Sequence, residues 1–235
     1  MEAVIPRIGV LAVGRNTFDV PYAENMLESA WQALLDLNVQ LCGEQTLLFD
    51  AEEVIPALDS LKQQSPDIIL QLQVTFTDAA MTMEIARQLD VPLLMWSFPE
   101  PRTGGRLRLN SFCGINLAAH ALSRAGLDYE YVHGAPDDPQ ALEQITVLAR
   151  AAAVKRSLNG TRIGVIGQHP DGFDACIFSH QECADLFGIE VEKHDLIGFL
   201  DSVKALADDA ALAHYQDRKK VLVNLEEMDY QATVK

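Results

Sequence analysis

The densest group of chemically capable residues is Trp96-Ser97-Phe98-Pro99-Glu100-Pro101-Arg102-Thr103-Gly104-Gly105, continued by Arg106, Arg108 and Asn110. One carboxylate, three guanidinium forks, an indole, an amide and paired glycines in a single segment can grip hydroxyl groups or an anion. A surface loop laced by salt bridges, with Gly104-Gly105 serving a turn, would have the same composition. Arg15, beside Gly14, carries a fork suited to a carboxylate, a phosphate or a sugar hydroxyl, or to an ion pair at the rim of a cleft. Gln73, Thr75, Phe76 and Asp78 make a third group, and His169, Asp171 and Asp174 a fourth.

Several chemistries are excluded by pattern. Gly14-Arg15-Asn16-Thr17-Phe18 lacks the glycines of a dinucleotide fingerprint, and there is no Walker motif. No nucleophile elbow or Ser–His–Asp order is present. His120 lies between Ala119 and Ala121 in a helical stretch, and His180, His194 and His214 share no ligand spacing. His169 with Asp171 and Asp174 could contribute to a metal shell, but His169-Pro170-Asp171-Gly172-Phe173-Asp174 also reads as a turn ending in an N-cap Asp. Hard divalent ions need several converging ligands, so no metal is expected on this chain alone.

The chain has 235 residues and a formal charge of −16, from 34 acidic and 18 basic residues. Nucleic acid and anionic membrane surfaces are therefore disfavoured as partners, since both call for clustered Lys and Arg. Cys42, Cys113, Cys176 and Cys183 show no CxxC spacing and read as scattered thiols of an intracellular protein. Residues 1–7 lack a signal-peptide layout, and no apolar run is long enough to span a bilayer; the expected location is cytoplasmic.

These groups gain meaning from the elements that must position them. Short apolar runs at 8–13, 39–42, 68–72, 92–96 and 129–133 read as strands. They alternate with helical spacing at 21–37, 52–64, 78–89, 111–125 and 138–158, with Asp78 as an N-cap. That cadence predicts an α/β fold: a doubly wound, mostly parallel, flavodoxin-like sheet. After Asn159-Gly160 the rhythm restarts with strands at 162–167 and 189–193. Helices are expected from Ser179, in capping-box spacing with Glu182, and over 196–207, followed by a mostly polar helical tail over 212–235. The expected organisation is a first α/β domain over 1–158 and the start of a second over 159–235. The second reads as incomplete, because two strands do not make a covered parallel sheet. A polypeptide continuing past Lys235 is favoured over a tail docked on the first domain. In such folds ligands sit at the carboxyl ends of strands, where all four residue groups fall. The connection after 92–96 is about fourteen residues, a length common for functional loops.

Taken as an ordered series, four segments resemble the amino-terminal portion of the L-fucose/L-arabinose isomerase family, nearest its shorter fucose isomerase-like members. They are Ile8-Gly9-Val10 through Gly14-Arg15-Asn16-Thr17-Phe18-Asp19; Gln73-Val74-Thr75-Phe76; 96–114 into Asn116-Leu117-Ala118-Ala119-His120-Ala121-Leu122; and Gly167-Gln168-His169-Pro170-Asp171-Gly172-Phe173-Asp174. The resemblance implies aldose–ketose isomerisation by proton transfer between C1 and C2, with Mn²⁺ polarising the oxygens and carboxylates as acid and base. It implies two consecutive α/β domains before a catalytic domain, and a homo-oligomer in which the first domain leans over a neighbour's active site. Arg15 matches the family's arginine of the first βα loop and Phe76 its aromatic of the third. Asp171 matches a pocket-lining position. Trp96, Glu100 and Arg102 are carried as substrate contacts, with a role in subunit contacts equally open for their loop.

The family's metal-binding Glu and Asp and its distal His lie downstream of Lys235, so the resemblance assigns no catalytic or metal residue here. The expected function is the amino-terminal part of a metal-dependent isomerase of L-fucose- or L-arabinose-like sugars, supplying pocket walls and oligomer contacts. It would be inactive alone if the chain ended at Lys235. Arg15 and the loop arginines favour a sugar bearing an added anionic group. The rival is a non-catalytic sugar-binding or regulatory module, which should bind sugar tightly without metal.

Overall fold

In a computed structural model, residues 4–224 are described. They fall into two units, divided between Ser157 and Leu158. In the first unit β1 (Arg7–Val13), α1 (Val20–Leu35), β2 (Gln40–Cys42), β3 (Leu47–Leu48), α2 (Ala51–Gln63), β4 (Ile68–Gln73), α3 (Ala80–Arg87), β5 (Leu93–Ser97), α4 (Ser111–Ala125), β6 (Glu130–His133) and α5 (Pro139–Leu158) alternate along the chain. The strands pair in parallel in the order β2-β1-β4-β5-β6, with β3 also pairing β1. The fold is doubly wound α/β, as the cadence predicts.

The period-2 alternation of the strands assigns each helix a face. Val10, Ala12, Leu70, Leu72, Leu94 and Trp96 face α1 and α5, meeting Leu27, Leu34, Ile145 and Ala149. Leu11, Val13, Ile69 and Met95 face the other way, against Leu58 of α2, Ile85 of α3 and Leu122 of α4. Both faces are covered, so the central strands are apolar almost throughout.

The edge is less regular than the pattern at 39–42 suggests. β2 pairs with residues 7–9 of β1 and β3 with 12–13, two pieces of one interrupted strand. Gly43 breaks it at φ +103°, where a Cβ would stand 2.6 Å from the Val10 carbonyl oxygen. With β2 and β3 counted together, the topology switches direction between β1 and β4. A doubly wound sheet opens its ligand crevice at that point.

The second unit pairs β7 (Arg162–Ile166) in parallel with β8 (Glu190–His194). It adds α6 (His180–Phe187), α7 (Leu196–Lys204) and α8 (Asp208–Arg218). Ser179 caps α6 by accepting from the Glu182 N–H, half of the expected capping box. Asp174 is not an N-cap: it opens a single 3₁₀ turn, Asp174–Cys176, after Phe173. Among the described residues of this unit only Ile189 is buried, while Ile166, Phe173, Ile197 and Phe199 stay exposed. The expected polar helical tail ends at Arg218, and its part after 224 lies outside the described residues.

Candidate functional site

The loops after β1, β4 and β5 meet at the switch point. The Arg15 backbone N–H donates to Thr75 Oγ1 at 2.8 Å, and the Arg15 guanidinium pairs with Asp78 Oδ2 at 2.6 Å. Phe18 and Phe76 face each other at 6.1 Å between ring centroids. The loop after β5 crosses both: Leu109 C=O accepts from the Phe76 N–H and Arg108 C=O from the Asp19 N–H. Arg15 and Phe76, from segments far apart in sequence, thus share one crevice.

Beneath it lies a buried polar network that explains why the β4 loop holds its course. Gln71 and Gln73 point to the same face as Ile69, yet both are fully buried. Gln71 Nε2 donates to Gln73 Oε1 (3.0 Å) and Thr82 Oγ1 (2.9 Å), and Gln73 Nε2 to the Thr75 carbonyl (2.8 Å) and Thr77 Oγ1 (2.9 Å). Ser111 Oγ donates to the Gln73 carbonyl and accepts from the Phe98 N–H. Burying amides costs several kcal/mol unless they are bonded; the bonds here satisfy both NH₂ groups and Gln73 Oε1, while Gln71 Oε1 is buried with no partner among the described residues. Gly114 completes the fit, since a Cβ there would stand 2.8 Å from Gln73 Nε2.

Two aspartates lock the rim in the same way. Asp19 accepts from the Tyr22 N–H at the start of α1 with one oxygen and binds Arg108 Nε (2.8 Å) with the other. The Arg108 side-chain hydrogen bond, and then the Tyr22 backbone bond, hold the Asp19 carboxyl below the usual range. Asp78 holds Arg15 with one oxygen and the Ala80 N–H with the other. It sits one residue ahead of the cap position of α3, which is Ala79, so the expectation of Asp78 as the N-cap is corrected.

Two residues expected to touch substrate serve the scaffold instead. Trp96 is fully buried against Phe98 (4.8 Å), with Nε1 donating to the Gly134 carbonyl, so its ring has no face for a ligand. Glu100 folds back to accept from the N–H groups of Arg108 (2.6 Å), Leu109 (3.0 Å) and Asn110 (2.6 Å). This bends the loop into α4 through Asn110, which takes a left-handed conformation. Arg102 is exposed, and no described group holds its side chain. Phe18 and Arg106, not singled out as contacts, do reach the crevice: Arg106 stacks over Phe18 at 5.1 Å and donates to the Thr17 carbonyl.

The model of the fucose/sulfoquinovose isomerase N-terminal domain matches residues 9–162, most of the chain. The chain belongs to this family. Similar proteins include the sulfoquinovose isomerases of Priestia aryabhattai (28% identical over 221 residues, 94% of this chain and 50% of the relative) and Alkalicoccus urumqiensis (28% over 219 residues, 93% and 49%). That of Clostridium sp. (strain MSTE9) is 30% identical over 188 residues, 79% and 41%. The chain spans about half the length of the curated relatives it matches. In this isomerase N-terminal domain the matched segment contains all three crevice loops.

Asp171 lies outside that segment, in the second unit, exposed like its neighbour His169. His133 ends β6, bonds Ser97 Oγ through Nδ1 (2.9 Å) and packs on Phe112. His120 is exposed on α4. The four cysteines are free thiols, and burial pushes the Cys42 thiol up. Among the described residues no group of three or more His, Cys, Asp or Glu is placed to hold a metal ion. No described helix is long and apolar enough to cross a membrane. A separate concavity of about 300 Å³ under α2 is charged only by Glu44 and Glu53, the wrong sign for an anion.

Proposed function

We propose that this chain is the amino-terminal part of a cytoplasmic aldose–ketose isomerase whose substrate is an anionic deoxyhexose of the sulfoquinovose type. Its first unit supplies one wall of a sugar pocket shared between subunits of a homo-oligomer. The observation that carries this reading is the arginine-rich rim of the switch-point crevice in a chain of charge −16. An overall acidic protein repels an anion unless cations are gathered where it binds. The names of the similar proteins point to the same sugar. Neutral L-fucose and L-arabinose have no group that calls for such a rim.

Mn²⁺, where bound, would polarise the oxygens at C1 and C2, and its ligands and the acid–base carboxylates are assigned outside this chain. The chain's own residues bind and orient: Phe76 and Phe18 offer apolar faces to the sugar ring, and Arg15 a fork to its hydroxyls. The exposed apolar side chains of the second unit are read as the seat of further polypeptide, in keeping with relatives about twice as long. The test has two arms. Incubated with Mn²⁺, the chain should convert neither sulfoquinovose nor L-fucose to ketose, and turnover would sink the placement of the chemistry elsewhere. In calorimetry the chain should bind sulfoquinovose at least about tenfold more tightly than L-fucose, less so in high salt; equal affinities would remove the anionic substrate.

A further inference from the structure

The rim carries four arginines, and the structure separates them by what already neutralises each. Arg15 is matched by Asp78 and Arg108 by Asp19, both in direct ion pairs. Each of those carboxylates is also fixed to a helix start through its second oxygen, which keeps it beside its arginine. Arg102 has no carboxylate partner and nothing that positions it among the described residues. Among the described residues, Arg106 alone of the four combines a charge without a carboxylate partner and a fixed place. Its guanidinium lies over the Phe18 ring, inside the distance of a favourable cation–π contact, and one N–H is tied to the Thr17 carbonyl.

We infer that Arg106 is the specificity-determining residue of the crevice, the fork that holds the sulfonate of the sugar and so selects it over neutral deoxyhexoses. This rests on the anionic-sugar reading above. The stack on Phe18 restricts the long side chain before the ligand arrives, reducing the ordering cost of binding. The single bond to Thr17 leaves most of the five guanidinium N–H donors available to sulfonate oxygens. Phe18 also neighbours Phe76, the rings tilted at 47° with centroids 6.1 Å apart, so the cation stands next to a second aromatic side chain. A pyranose ring can lie against Phe76 with its anionic arm toward Arg106. Lysine would replace the fork only in part, because its ammonium lacks the planar group that lies flat on the ring and the rigid pair of N–H donors matched to two oxygens.

The experiment is calorimetric titration of the full 235-residue chain with sulfoquinovose and with quinovose, which differs only in lacking the sulfonate. Wild type is compared with Arg106→Gln, Arg106→Lys and, as a control of equal charge change at the far end of α4, Arg124→Gln. Arg106→Gln should weaken sulfoquinovose binding about ten- to hundredfold, the range for hydrogen bonds to a charged group, and leave quinovose within about twofold. Arg106→Lys should recover only part of the loss, and Arg124→Gln should change nothing. If wild type prefers sulfoquinovose and Arg106→Gln keeps that preference, Arg106 is not the fork while the anionic-sugar reading stands. Equal loss for both sugars would make Arg106 a support for Phe18 and overturn its role in selection. If wild type fails to prefer sulfoquinovose, or binds neither sugar, the underlying reading fails and the assignment of Arg106 with it.

Discussion

Glu100 offers the sharpest test of the loop's architecture, because a substrate contact and a scaffold residue respond differently to one change. Its carboxylate accepts three backbone N–H groups, with Oε2 taking Arg108 and Leu109 and Oε1 taking Asn110. Glu100→Gln keeps the shape but turns one oxygen into a donor. The least disruptive arrangement leaves the amide oxygen on Arg108 and Leu109 and sets the new NH₂ against the Asn110 N–H. One bond to a charged acceptor is lost, worth about 1.5–3 kcal/mol, and two donors now face each other. Glu100 is only half-buried, so water relieves part of this, and a net loss of about 2 kcal/mol is expected. For a unit of this size that lowers the unfolding midpoint by roughly 4–8 °C. Thermal unfolding measures the shift, and hydrogen exchange should show faster amides at 108–110, more so in Glu100→Ala. A midpoint unchanged within about one degree, with 108–110 still protected, would refute the scaffold role. A Glu100 that only touched sugar would produce that result together with weakened binding.

Two further perturbations probe the ground under the crevice. Gly114→Ala should lower stability by about 1–3 kcal/mol in urea unfolding despite alanine's better helix propensity, because its Cβ, 2.8 Å from Gln73 Nε2, pushes an amide bonded on both sides; a gain in stability would show that Gln73 gives way. Asp19 has its pKa depressed in the fold, so its contribution is complete above the unfolded value, near 3.8, and is lost as pH falls through the lower folded value. The stability gap between wild type and Asp19→Asn should hold from neutral pH down toward that range and close below it. A gap that closes while the pH is still well above 3.8 would contradict the Arg108 pairing.

Much of the frame can be read from local pattern. The 111–125 helix coincides with α4, and the strands at 8–13, 68–72 and 92–96 fall within a residue of β1, β4 and β5. Buried parallel strands must be apolar runs, and helices on a sheet must show one apolar face. The 3.6-residue helical period and the short apolar runs that define them are contained in the chain itself. The interrupted edge was not legible, since β3 is two residues long and exists only because β1 offers it a partner. Two glutamines at alternate positions in an otherwise apolar strand were a signal of the buried amide network, visible in sequence but silent about its partners.

The site divides along the same line. Sequence alone determined which residues stand at the carboxyl ends of strands, and with them the crevice loops bearing Arg15, Phe76 and the arginines, because position along a βα unit follows from periodicity; the ordered series of motif segments carried the family resemblance. Only the tertiary structure decided what each side chain does. Trp96 and Glu100 share the loop with Arg106, yet the first fills the core, the second binds backbone N–H groups, and the third lies over Phe18 with no carboxylate partner among the described residues. Burial and charge neutralisation depend on neighbours distant in the chain, as between Arg108 and Asp19, 89 positions apart. No local pattern encodes those distances; folding brings the partners together.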